Sequence, residues 1–144
     1  VSGFPTERPD EINELMARLK RKVSEDNNDL VDFETANIED AEILIFAYGS
    51  SARAAKGAIE KARSKGIRAG LFRPRIIWPF PRKELEKIAT RFKHILVTEL
   101  NQGQIISEVE RAVAGKSSVH FLGRVDGEMF SPNQILEKME SLKT

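Results

Sequence analysis

Cysteine is absent from all 144 residues, which excludes a disulfide framework, thiolate zinc and any iron–sulfur cluster ligated by this chain. Charge of one sign is missing as well. With 23 basic side chains against 22 acidic ones, nothing points to nucleic acid or an anionic membrane as partner. No apolar run approaches the ~20 residues of a membrane span, and no basic, apolar leader precedes the first helix. A cytoplasmic protein is the expectation. Catalytic constellations are lacking too: His94 and His120 each sit in an apolar strand context without an evident metal partner and read as structural. Glu99 is the best isolated acid, but one carboxylate without a nucleophile or second titrating group specifies no reaction.

What is present suffices for one compact domain. Hydrophobic residues make up 40% of the chain, and a domain of this length buries ~70% of its unfolded surface. The chain starts at Val1 within polar sequence, so a piece of a longer protein is expected. Residues 1–27 read as an amphipathic helical arm and linker, and residues 28–144 as the α/β domain. In the arm, Pro9 and Asp10 open a helix with Ile12, Leu15, Met16, Leu19 and Val23 along one stripe and Arg18, Lys20, Arg21 and Lys22 toward its end. Ser24 to Asp29 is polar and reads as the linker.

In the domain, apolar strand runs alternate with helix patterns. Leu30 to Glu34 is a weak edge strand, expected to be antiparallel. Ala41 to Tyr48 is nearly unbroken apolar sequence, as a strand buried on both faces requires, and stops at Gly49-Ser50-Ser51. An alanine-rich helix from Ser51 to Lys65 follows, with Gly66 placed to cap it. The strand Ile67 to Phe72 leads into Arg73-Pro74-Arg75-Ile76-Ile77-Trp78-Pro79-Phe80-Pro81, whose three prolines exclude both helix and ladder. Helix Arg82 to Phe92, strand His94 to Thr98, a helix from Gln104 to Ala114, strand Val119 to Arg124 and helix Asn133 to Leu142, capped by Ser131-Pro132, complete the order. The pattern implies a three-layer α/β sandwich: a five-stranded, mostly parallel sheet with an antiparallel first strand.

In such sheets ligands collect at the carboxyl ends of the strands. The candidates there are Gly49, Ser50, Ser51, Arg73, Trp78, Phe80, Glu99, Asn101, Gly103 and Gln104. Gly49-Ser50-Ser51 offers backbone N–H groups and two hydroxyls at a helix start, an anion site or merely a cap. Asn101 and Gln104 can orient a ligand or a neighbouring chain, or Asn101 can cap the next helix. Trp78 and Phe80, held between prolines, read as an interface anchor ahead of a core plug. Both glycine-containing turns follow parallel strands, so they are expected to converge on one pocket.

Phe46-Ala47-Tyr48-Gly49-Ser50, Trp78-Pro79-Phe80-Pro81, Glu99-Leu100-Asn101-Gln102-Gly103-Gln104 and Arg124-Val125-Asp126-Gly127-Glu128, in this order and spacing, resemble the C-terminal part of the alpha subunit of 2-oxoacid:ferredoxin oxidoreductases, most similar to the 2-oxoglutarate type. Gly3 to Pro9 resembles the segment joining that part to the preceding domain. The resemblance implies a transketolase C-terminal-like fold with structural and assembly duties. It implies an enzyme that decarboxylates a 2-oxoacid oxidatively to its acyl-coenzyme A and reduces ferredoxin, with thiamine diphosphate, magnesium and iron–sulfur clusters held by other domains and subunits. No catalytic or cofactor-binding residue is then expected here, and the partners are the other domains and subunits, with ferredoxin and coenzyme A reached through the full complex. A small-molecule or anion-binding regulatory domain is the alternative. A transketolase or pyruvate dehydrogenase beta-subunit domain is disfavoured by the Trp78 to Pro81 and Asn101-x-Gly103-Gln104 combination.

Overall fold

The computed structural model describes residues 5–23 and 30–142. The expected linker, Ser24 to Asp29, and the start of the joining segment, Gly3-Phe4, lie outside them. Helix α1, Pro9–Lys22, begins on its proline, carries Asp10 and Glu11 in its first turn and Lys20 to Lys22 in its last, the arrangement that complements the helix dipole. It buries none of its residues. Ile12, Met16, Leu19 and Val23 form an exposed apolar stripe.

The sheet contains β1 (Phe33–Ala36), β2 (Ile43–Ala47), β3 (Ala69–Pro74), β4 (His94–Glu99) and β5 (Ser118–Gly123), in spatial order β1-β3-β2-β4-β5. β1 runs antiparallel to β3, and every other pair is parallel. The mixed sheet read from the sequence is therefore the one observed. Helices α2 (Gly49–Ser64) and α5 (Pro132–Ser141) cover one face, and α3 (Arg82–Ala89) and α4 (Ile106–Val113) the other. Side chains alternate across each strand. Ile43, Ile45 and Ala47 of β2 accordingly meet the alanines of α2, whereas Leu44 and Phe46 meet Leu85 and Val109. On the second face Phe33, Phe72, Phe46 and Phe80 make an aromatic row, with successive ring centroids 4.9, 5.5 and 5.8 Å apart.

Element ends differ from the sequence reading by a few residues, for local reasons. α2 starts at Gly49, not Ser51; Gly49-Ser50-Ser51 is the helix's own first turn, entered through Gly49 at φ +55°, a conformation that favours glycine. At its other end the Gly66 N–H donates to the Arg63 carbonyl and the Ile67 N–H to Ala62, the paired bonds of a Schellman cap. β3 extends two residues further than expected and includes Arg73 and Pro74, because β1 pairs alongside it there. α3 ends at Ala89, short of Phe92, and Pro81 is its N-cap. α5 opens on a capping box between Ser131 and Gln134. Among the described residues no helix is long and apolar enough to cross a membrane.

Candidate functional site at the carboxyl edge of the sheet

β2 connects through α2 to β3 on one side, and the chain then crosses to β4 on the other. The topological switch point, where such sheets open a ligand crevice, is thus between the ends of β2 and β4. Here the protein's own side chains fill it. Glu99, last in β4, has no solvent exposure. One carboxylate oxygen accepts the Ile106 N–H at 2.9 Å; the other accepts the Ile105 N–H at 2.9 Å and the Tyr48 hydroxyl at 3.0 Å. All three partners are donors, as an acceptor-only carboxylate requires. Burial, and then the neighbouring Glu99 charge, push the Tyr48 hydroxyl up to about 12, so it stays a donor at neutral pH.

Asn101 completes the network. Its amide donates to the Tyr48 oxygen at 3.1 Å, while its side-chain carbonyl accepts the N–H groups of Gly103 at 2.7 Å and Gln104 at 3.1 Å. The side chain therefore holds the turn, not the helix: α4 begins at Ile106 rather than Gln104, and its first amides are capped by Glu99. Gly103, at φ +98°, supplies the left-handed residue that this turn needs.

The two glycine-containing turns lie side by side, linked by the Tyr48–Asn101 bond, yet they line two hollows and not one. The larger, of about 520 Å³, is lined by Leu100 to Gln104 and by Arg124, Val125, Gly127 and Glu128. Its guanidinium is already engaged: Arg124 makes a two-pronged pair with Asp126, at 2.7 and 2.6 Å, and donates to the Met129 carbonyl. That pair holds the Asp126 carboxyl down to about 2.

The smaller hollow, of about 240 Å³, is lined by Gly49, Arg53, Lys56 and Arg73. Ser50 is exposed at its side of α2 and Ser51 is buried. Antiparallel pairing sets Glu34 of β1 opposite Arg73, and Glu34 accepts from Lys56 at 2.6 Å, Arg75 at 3.2 Å and Arg73 at 3.4 Å. Those contacts, Lys56 foremost, hold the Glu34 carboxyl down to about 2 against its partial desolvation. Sequence reasoning missed Arg53 and Lys56. A signal was available: they stand four and seven residues after Gly49, on the helix face that its first residue occupies.

The aromatic loop divides. Phe80 is 2% exposed and packs on Phe46, so it belongs to the core and corrects its reading as an interface anchor; the Trp78–Pro79 peptide bond before it is cis. Trp78 is 58% exposed. Leu100, Val125 and Met129, in the loops after β4 and β5, expose large apolar side chains as well, and so does Ile76 in the same loop as Trp78. The two histidines, 26 residues apart, meet across β4 and β5, with Nδ1 of His94 3.1 Å from Nε2 of His120. They sit toward the strand starts, away from the hollows. Among the described residues no group of three or more His, Asp or Glu is placed to hold a metal.

Comparison with known proteins supplies a family. The family described as pyruvate:ferredoxin oxidoreductase core domain II matches residues 41–135. A 2-oxoglutarate synthase subunit KorA of Methanothermobacter marburgensis is 34% identical over 98% of this chain and 38% of its own length. A ketoisovalerate oxidoreductase subunit VorB of the same organism is 32% identical over 92% of this chain and 38% of its own. The chain thus spans well under half the length of these relatives. A solved 2-oxoglutarate:ferredoxin oxidoreductase from Magnetococcus marinus superposes with a TM-score of 0.71, at 22% identity, over 97% of this chain and 24% of that one. A split-gene transketolase superposes with a TM-score of 0.60, at 17% identity, over 75% of this chain and 40% of that one. The last two carry the fold, which is transketolase-like.

Proposed function

The chain belongs to the pyruvate:ferredoxin oxidoreductase core domain II family, and on that premise we propose that it is the C-terminal structural and assembly domain of the alpha subunit of a 2-oxoacid:ferredoxin oxidoreductase. The whole enzyme decarboxylates a 2-oxoacid oxidatively, 2-oxoglutarate in the reading favoured here, forms the acyl-coenzyme A and passes the electrons to ferredoxin. Residues 1–27 are then the arm and linker from a preceding domain, and residues 28–144 the domain itself.

The observation that supports an assembly role best is the combination at the strand ends. The crevice where an α/β sheet would bind its ligand is filled by Tyr48 and Glu99, whereas the rim around it exposes Ile76, Trp78, Leu100, Val125 and Met129. Interfaces are anchored by apolar and aromatic side chains of this kind. The cofactors implied by the family do not fit the residues present. There is no cysteine for an iron–sulfur cluster, and among the described residues there is no carboxylate cluster for magnesium and a diphosphate. No catalytic step is therefore assigned to this chain. Calorimetry of the 144-residue chain with thiamine diphosphate and magnesium tests the division of labour. No saturable heat is expected, and micromolar binding, worth about 8 kcal/mol, contradicts it.

A further inference from the structure

The hollow beside β3 has a composition that the assembly role leaves unused. Three of its four lining residues, Arg53, Lys56 and Arg73, are cationic, and the fourth is Gly49, the first residue of α2. Among the described residues the ion pairs of Lys56, Arg73 and Arg75 go to Glu34 and Asp32, and Arg53 has none. Four cations are thus set against two carboxylates. The Arg73 Nε–H is shielded from solvent and has no acceptor among the described residues, which leaves this guanidinium incompletely satisfied by the protein. Among the described residues the N–H groups of Gly49, Ser50 and Ser51 also lack acceptors, since the first helical bond back to Tyr48 is made by Ala52. α2 has no acidic residue in its first turn and no side-chain cap. Arg53 and Lys56, one and two turns further along α2, add positive charge beside that helix start. Three cations that share two carboxylates, with Arg53 beside them, leave a positive surplus suited to an external anion.

We propose that this hollow binds the phosphoryl group of a small phosphate monoester. The surplus of two positive charges matches a phosphoryl dianion rather than a single carboxylate, and guanidinium forks suit its three oxygens. At about 240 Å³ the hollow is below the usual range for a whole metabolite, roughly 300–1,000 Å³. It holds the phosphoryl head, and the remainder of the ligand lies outside. This site is independent of the assembly role: it uses neither the apolar rim nor the Tyr48–Glu99 network.

The test is an amide-resolved NMR titration of the 144-residue chain at pH 7.5 and low salt with inorganic phosphate, and with acetate in parallel. Saturable shifts at Gly49, Ser50 and Ser51 are expected for phosphate, with acetate at least tenfold weaker. Arg53→Gln removes an exposed, unpaired side chain, so it should leave the melting midpoint unchanged and weaken phosphate about tenfold, or about 1.4 kcal/mol. Lys56→Gln should weaken it similarly, and Arg68→Gln, whose residue pairs with Glu42 elsewhere, should not. A linear, unsaturating response, equal affinity for acetate, or equal weakening by Arg68→Gln overturns the site.

Discussion

Glu99 shows how one residue can look catalytic in sequence and be architectural in space. A carboxyl at the end of a buried strand, on the rim where ligands bind, is a reasonable acid candidate, yet its three hydrogen bonds all go to the protein. That it specifies no reaction by itself was legible; its bond to Tyr48, 51 residues earlier, was not, because it depends on β2 and β4 lying side by side. Glu99→Ala leaves the amides of Ile105 and Ile106 and the partly buried Tyr48 hydroxyl without this acceptor, each costing up to roughly 1–3 kcal/mol. A loss of at least 3 kcal/mol in urea unfolding is expected, with Tyr48→Phe costing only about 1 kcal/mol. The neighbouring Thr98 makes the opposite case. Its hydroxyl is buried without a partner among the described residues, so Thr98→Val, which keeps the shape, should be neutral or stabilising in the same assay. A loss above 1 kcal/mol would mean that the hydroxyl has an acceptor after all.

At the scale of elements, apolar runs and caps were strong enough to place every strand and helix in order, and their ends moved where tertiary contacts intervened. β3 reached Pro74 because β1 pairs with it, and α4 started late because Asn101 holds the turn before it. The β4–β5 pair carries a contact that no spacing announced, the approach of His94 and His120. Burial, then the His94 charge and that of Lys138 on α5, lower the His120 pKa below its ordinary value of 6.5. The folded chain therefore takes up this proton less readily than the unfolded one. The stabilising difference is intact above the unfolded value and is lost as pH falls below it toward the folded pKa. Urea midpoints should thus drop between pH 7.5 and 5.5, and His120→Gln should flatten that drop. An unchanged slope in the variant would remove His120 as its source. At the end of the chain, Ser131→Ala breaks the α5 capping box and should cost about 1 kcal/mol.

For the molecule as a whole, the two faces of the sheet explain what is permissive and what is specific. The central strands are buried on both sides and the helices are fixed by caps, so the architecture follows from hydrophobic pattern and turn chemistry. The surface of the rim does not follow from them. Trp78 and Phe80 stand on either side of Pro79 in one loop, and only the way that loop lies against the core separates a buried side chain from an exposed one. That Lys56 and Arg73 meet at Glu34 is likewise not readable from the sequence, since it needs an antiparallel edge strand in a particular register. The central claim, that the exposed rim serves assembly and not the fold, is tested most directly by Trp78→Ala in the alpha subunit with its partner subunits present. Sedimentation of the reconstituted complex and the melting midpoint of the domain are read side by side. The account predicts that subunit affinity falls by about 2 kcal/mol or more, as for an interface anchor, while the midpoint hardly moves. Unaltered assembly with a melt lowered by the 3–5 kcal/mol that truncating a core aromatic costs would contradict it.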